Sequence, residues 1–431
     1  MKRIAYEQLL EWKKRSDRKP LVVKGARQVG KTWLLKHFGQ NEYEQTLYVN
    51  FELQKNLRQL FKQDFDIRRI MLALRIATGV NPDPKNTLII LDEIQEAEEG
   101  LTALKYFYEN APEYHIAVAG SYLGISLHEN FSFPVGKTDF LELQPMNFKE
   151  FLWAMNRKDL AELSEKKDWK LIDLFHTQLL DLLKQYFITG GMPEAVKTFR
   201  ESKDFEQVRR IQKQILYGYE HDFSKHVPSS QIPRVKTIWE HIPSQLSKEN
   251  KKFFFSHLKK GARAKEFEVA LNWLADSGLI YRVYRVSKPG LPLSAYKDAK
   301  SFKVFFLDTG LLAALSGLDY RIILNDNKIF SEFKGALSEQ YVFQEIWPYK
   351  PYYWSGERSK NEVDFLIQRQ GRIIPIEVKS GINLKSKSLR VFCEKYQIPQ
   401  GIRFSTAKFL KQDWVINVPV YMAGMYFDQG D

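Results

Sequence analysis

The chain predicts an α/β architecture in three parts: a parallel sheet covered by helices, a helical region ending in a winged helix-turn-helix, and a separate α/β unit. Three observations lead there. Short apolar runs alternate with helical segments in the first third, apolar spacing turns helical in the middle, and strands mixed with one long helix fill the last third. At 431 residues the chain exceeds what one hydrophobic core usually organises. The expected domains are residues 1–150, 151–300 and 301–431.

In the first part the strand-like runs are Leu21 to Val23, Leu47 to Phe51, Leu88 to Leu91, Ile116 to Ala119 and Phe140 to Leu143. After the first comes Gly25-Ala26-Arg27-Gln28-Val29-Gly30-Lys31-Thr32, a Walker A pattern, followed by the helical Trp33 to Phe38. Glycines let the backbone curl so that its N–H groups face phosphate, and a helix N-terminus adds favourable dipole charge. Lys31 is expected to reach the β- and γ-phosphates and Thr32 to ligate magnesium. The run Thr87 to Glu93 is an apolar strand ending in two carboxylates, a Walker B form. Asp92 is the second expected magnesium ligand and Glu93 the group that orients or deprotonates water. The strand His115 to Gly120 delivers Ser121, a candidate γ-phosphate sensor, to the end of the sheet where ligands bind. A plain Gly-Ser turn is the competing reading.

From Asn147 to about Tyr219 the chain reads as helices, broken by a turn or hinge at Thr189-Gly190-Gly191-Met192-Pro193. Between Val235 and Val286 the order is helix, short apolar run (Phe253 to Phe255), helix (Ala264 to Ser277), stop at Gly278, and strand (Tyr281 to Val286), which suits a winged helix-turn-helix. Phe267, Leu271 and Leu274 share one face of the second helix. Lys248, Lys251, Lys252, Lys259, Lys260, Arg263 and Lys265 crowd before and into it, either to meet DNA phosphates or as a solvated basic face. His221, Asp222 and His226 mimic metal spacing only superficially and read as structural.

In the last part a helix is expected around Glu332 to Trp347, then a hairpin from Glu362 to Lys379 turning at Gln370-Gly371. Strand alternation puts Glu377 and Lys379 on one face, with Asp364 opposite the apolar Val363, Phe365 and Ile367. If the apolar faces share one side, Asp364, Glu377 and Lys379 converge. Two carboxylates can hold a divalent metal while lysine steadies the developing anion, with Glu339 on the preceding helix completing the shell. A cross-strand salt bridge is the structural alternative. Tyr352, Tyr353 and Trp354 either pack in the core or stack on bases, core packing being the default.

Net charge is +13 and the isoelectric point near 9.3, which favours a polyanionic partner such as nucleic acid, with plain solubility as the alternative. Cys393 is the only cysteine, so an internal disulfide and a cysteine zinc cluster are both excluded. The charge-studded N-terminus and the lack of a long apolar run lead us to expect no secretion, no membrane insertion and a reducing cytoplasm.

KPLVVKGARQVGKT, TLIILDE, VAGS and FLELQPMNFKEFL together resemble a prokaryotic AAA-type ATPase family related to archaeal ATPases. GGMPEAV, FLDTGLL, KGALSEQYVF and EVDFLIQRQGRIIPIEVKSG are similar to the family's C-terminal half, a nuclease-like domain of the PD-(D/E)xK type, so the resemblance spans nearly the whole chain. It implies a P-loop NTPase core of the additional-strand kind, in which a strand separates the two Walker strands, and hydrolysis of ATP with Mg2+. It also implies an arginine near the start of the final core strand, where this chain has Lys137. Lysine keeps the charge and loses the planar fork.

Two functions follow as expectations. One is an ATP-driven, DNA-associated machine with a metal-dependent nuclease domain. The other is a nucleotide-dependent regulatory switch whose C-terminal domain binds without cutting. Self-association into a homo-oligomer is neither required nor excluded by the residues.

Overall fold

The computed structural model describes residues 1–121, 136–247, 252–259, 261, 263–325, 331–356, 361–381 and 384–428. Lys248, Lys251 and Lys260 of the basic cluster lie outside these described residues. The chain divides into two compact units, Met1–Gln144 with Asp276–Leu279, and Pro145–Ala275 with Ile280–Asp431.

The first unit contains α1 (Ala5–Lys14), β1 (Leu21–Lys24), α2 (Lys31–Glu42), β2 (Gln45–Asn50), α3 (Ile67–Thr78), β3 (Thr87–Asp92), α4 (Gly100–Asn110), β4 (His115–Ala119) and β5 (Asp139–Glu142). Each expected strand is present, and all pair in parallel in the order β2-β3-β4-β1-β5. β4 lies between β1 and β3, so a strand does separate the two that carry the Walker sequences. Every residue of β3 and β4 is buried, which is why both read as unbroken apolar runs: helices cover both faces of a parallel sheet. Phe51, Phe61, Ile70, Leu74, Leu104 and Phe107 fill one side of it. Local signals set the edges of α3, where Asp66 caps the start by accepting from Arg68 N at 2.9 Å and Gly79 ends it at φ 73°.

In the second unit the helix Phe148–Ala154 opens with a reciprocal capping box between Asn147 and Glu150. The helix His176–Thr189 stops at Gly190, and Pro193–Ser202 begins immediately after the break. That turn is pinned by a buried carboxylate. Asp308 Oδ2 accepts from Gly191 N at 2.6 Å and Oδ1 from Leu311 N at 2.8 Å, capping Thr309–Leu315. A Cβ on Gly190 would collide with Asp308, and one on Gly191 with the Met146 carbonyl. The GGMPEAV and FLDTGLL segments are therefore two halves of one packed joint.

A mixed sheet completes this unit, formed by β6 (Ile280–Val286), β7 (Lys297–Phe306), β8 (Tyr352–Ser355), β9 (Glu362–Arg369), β10 (Arg372–Val378), β11 (Gly401–Ser405), β12 (Leu410–Lys411) and β13 (Val415–Pro419). Its order is β12-β13-β11-β10-β9-β8-β6-β7. Strands on both sides of residue 300 thus share one sheet. The β9–β10 hairpin turns at Gln370 and Gly371, both at positive φ (47° and 71°), as a two-residue turn requires. Tyr353 and Trp354 are buried, so the core-packing reading of this aromatic run holds, with Trp354 against Phe392 and Tyr396. Among the described residues no helix is long and apolar enough to cross a membrane.

One buried acid makes this unit sensitive to pH. Glu345 on the helix Ser331–Ile346 accepts from Phe148 N at 2.8 Å. Burial, with Asp428 and Glu150 nearby, pushes its carboxyl up to about 8. The folded state keeps a proton that the unfolded chain releases near 4.5, so its stabilising contribution is complete at low pH and disappears as pH rises to about 8. From about pH 6 to pH 8 the urea stability of this unit should fall by roughly 2 kcal/mol from this group, and Glu345→Gln should remove that slope.

Candidate functional site

β1 leads directly into the glycine-rich loop and α2 begins at Lys31, the strand–loop–helix order that phosphate binding needs. The loop curls through positive φ at Gly25 (151°), Gln28 (65°) and Gly30 (95°). Gly25 is doubly constrained, since a Cβ there would also strike the Leu143 carbonyl. Ala26 and Val29 are buried beneath the loop, and Arg27 lies half-buried on it. The buried guanidinium of Arg3 donates to Val29 O at 2.9 Å and Gln144 O at 2.5 Å, bracing the loop from α1's leading residues.

Lys31 is buried, with its ammonium folded into the loop. It donates to Gly25 O at 2.9 Å, Ala26 O at 2.8 Å and Ser121 Oγ at 3.3 Å. Burial lowers its pKa to about 8, against the opposing pull of Glu93 and Asp92. Thr32 Oγ1 donates to Asp92 Oδ2 at 2.8 Å, and burial raises the Asp92 carboxyl above its usual range. A hydroxyl and a buried carboxylate side by side form a donor set that fits magnesium.

Glu93 adopts the left-handed conformation (φ 49°), uncommon for a residue other than glycine. Its carboxylate accepts from Gln95 Nε2 at 2.6 Å and Ser121 N at 3.2 Å, with Ser121 Oγ at 3.5 Å. Ser121 therefore touches both the lysine and the glutamate, so this polar pocket gathers Lys31, Thr32, Asp92, Glu93 and Ser121.

Sequence reasoning missed three of its members. Tyr48 donates to Asp92 Oδ2 at 2.9 Å, and Asn50 Nδ2 lies 3.3 Å from Tyr48 Oη and 3.5 Å from Asp92. Both alternate on β2 with the buried Leu47 and Val49, and Asn50 registers with Asp92. Pairing of β2 with β3, combined with that alternation, would have singled them out. Gln95, the third, carries no pattern in the sequence. Lys137 precedes β5, whose first residue registers with the first residue of β1, at the end of the sheet remote from the loop. Its ammonium pairs with Glu109 at 3.2 Å, which accounts for it without any phosphate.

In the second unit, Asp364 Oδ2 accepts from Val378 N at 2.8 Å and Lys379 Nζ lies 2.7 Å from Glu377 Oε1, so the hairpin does bring the acid-x-lysine triplet and Asp364 together. Glu377 shares the face of Lys379, as alternation placed it; it is buried and registers with the buried Arg403 of β11. The Glu339 carboxylate accepts from the buried Lys303 at 3.0 Å, a partner the sequence does not suggest. Glu377 Oε2 accepts no hydrogen bond among the described residues, while Oε1 is paired with Lys379. Among the described residues no group of three or more His, Cys, Asp or Glu side chains stands close enough to hold a metal ion.

The helix Ala264–Asp276 buries Phe267, Ala270, Leu271, Trp273 and Leu274, leaving Lys265, Glu266, Glu268 and Val269 exposed. β6 and β7 pair antiparallel after it. Asp222 is buried inside the helix Phe205–His226, and among the described residues neither it nor His221 or His226 belongs to a group of three or more candidate metal ligands.

Residues 17–152 match the family model of an AAA domain. Residues 180–321 and 334–421 match two models of domains of unknown function (DUF8612 and DUF4143). No curated protein matches the sequence. Among solved structures, a Walker-type ATPase of Pyrococcus abyssi is similar over 73% of this chain and 95% of its own, at 15% identity and a TM-score of 0.46. The ORC1 protein of Aeropyrum pernix, solved in complex with DNA, covers 74% and 92% at 12% identity and a TM-score of 0.27. AMPPCP-bound DnaA from Aquifex aeolicus covers 63% and 86% at 14% and 0.28. With its sheet order, its loop and the AAA domain match, the first unit has the fold of a P-loop NTPase of the AAA type.

Proposed function

We propose that the P-loop unit binds and hydrolyses ATP and that the remainder of the chain couples this cycle to DNA. The observation that carries the reading is the Lys31 ammonium inside the loop, held by carbonyl and hydroxyl oxygens that phosphate oxygens can replace. The amides of residues 25–32 then cradle the phosphates, as the curl and the start of α2 favour. Thr32 and Asp92 would hold Mg2+, which neutralises charge on the phosphates. Glu93, oriented by Gln95 and the Ser121 amide, accepts the proton of the attacking water. Ser121, shared by Lys31 and Glu93, senses the γ-phosphate. Adenine is favoured over guanine by the resemblance alone, because the loop contacts phosphates.

DNA association rests on the net charge of +13, the winged helix-turn-helix order within residues 151–300, and Lys252, Lys259, Arg263 and Lys265 around the second helix. A free, buried Cys393 suits a reducing cytoplasm. ATP turnover measured with and without duplex DNA over a salt series tests the coupling. Stimulation that falls with salt is expected; no stimulation and no salt-sensitive binding would remove DNA and leave the ATPase.

For residues 301–431 the Lys303–Glu339 pair favours a binding module over a nuclease. Manganese-dependent nicking of plasmid DNA, lost in Asp364→Ala and Glu377→Ala, would reverse that preference.

A further inference from the structure

Lys303 lies on β7 with its side chain wholly excluded from solvent. The alternation of Phe302, Lys303, Val304 and Phe305 gives no hint of this, since a lysine between apolar neighbours ordinarily faces water. Here the neighbours on every side supply the reason. Its ammonium stands 3.0 Å from Glu339 Oε1 on the helix Ser331–Ile346 and 2.5 Å from Glu362 Oε1 at the start of β9. Asp364, two residues further along β9, adds its field, and the buried Tyr353 ring of β8 lies 5.0 Å away. Burial works against the charge, and the three carboxylates overcome it and hold the lysine above its ordinary range.

A carboxylate buried as deeply as that of Glu339 costs several kcal/mol unless a cation lies beside it. In a metal-dependent phosphodiesterase that cation is divalent and keeps open positions for water and a phosphate oxygen. An ammonium satisfies the same Coulombic need with three N–H donors and offers no open position. We propose that Lys303 is a built-in cation of the C-terminal unit, whose ammonium takes up Glu339 and Glu362 and so withholds Glu339 from the shell of any divalent metal beside Asp364. The inference deepens the reading of this unit as a binding module and is independent of the ATPase site.

The direct test is retention of Mn2+ by the nucleotide-free full chain, followed by the loss of free-ion spectroscopic signal, alongside Asp364→Ala. No Asp364-dependent retention is expected; about one ion per chain, lost in Asp364→Ala, would overturn the proposal. Lys303→Met removes the cation and should lower the urea midpoint or the soluble yield. Adding Glu339→Gln, which removes one of the stranded charges, should recover part of that loss. Unchanged stability in Lys303→Met would also overturn the proposal, and should both variants fail to fold, Mn2+ retention by the unaltered protein decides. A failure of nucleotide binding would leave these outcomes unaffected, so the two readings fail separately.

Discussion

Glu93→Gln is expected to lower ATP turnover by roughly 10²–10⁴-fold while leaving Mg–ATP affinity nearly unchanged. The amide oxygen of glutamine can still accept from Gln95 or the Ser121 backbone, which lie 2.6 and 3.2 Å from the carboxylate, so the turn should survive. What is lost is an acceptor for the proton of water. Phosphate release and nucleotide calorimetry on the same preparation separate the two effects. Turnover within about threefold of the unaltered enzyme would move the base elsewhere and remove Glu93 from the chemistry. The left-handed turn at Glu93 also keeps its backbone hydrogen bond, Glu93 N donating to Asp92 Oδ1 at 3.2 Å, which the substitution does not touch.

Asp308→Ala is expected to destabilise the second unit by about 3–5 kcal/mol, since it strands the amides of Gly191 and Leu311 in a dry interior and opens a void beside Gly190. Urea unfolding reports the loss, and poor soluble yield is its extreme form. Asp308→Asn should cost less, because one carbonyl oxygen remains to accept. A midpoint for Asp308→Ala equal to that of the unaltered protein would show that the joint between the Gly190-Gly191 turn and Thr309–Leu315 is held by packing alone. Nucleotide binding by the first unit serves as an internal control for folding of the rest of the chain.

The two ends of the sheet were unequally legible in the sequence. Buried parallel strands leave unbroken apolar runs, so β1, β3 and β4 stood out, and the glycine-rich loop announces its own backbone geometry. β2 begins two residues before its apolar run, because Gln45 and Thr46, at the edge of the sheet, carry no apolar signal. Its partners Tyr48 and Asn50 became meaningful only through register with β3. In the second unit the hairpin and its turn were readable from alternation and from Gln370-Gly371. The sequence alone places Glu339 in a metal shell, because nothing local marks Lys303 as buried. Its burial depends on carboxylates contributed from two other elements far along the chain, a tertiary fact that no window of sequence contains. The same holds for the sheet that joins β6 and β7 to β8, where a single registered pair, Arg285 with Tyr353, makes the connection.

The central claim is that a triphosphate replaces the loop's own oxygens around the Lys31 ammonium. Calorimetric titration of folded protein with Mg–ATP, in parallel with Lys31→Ala, tests it most directly. Saturable binding by the unaltered chain and none by the variant is the predicted result; no binding by either, or equal binding by both, would contradict it.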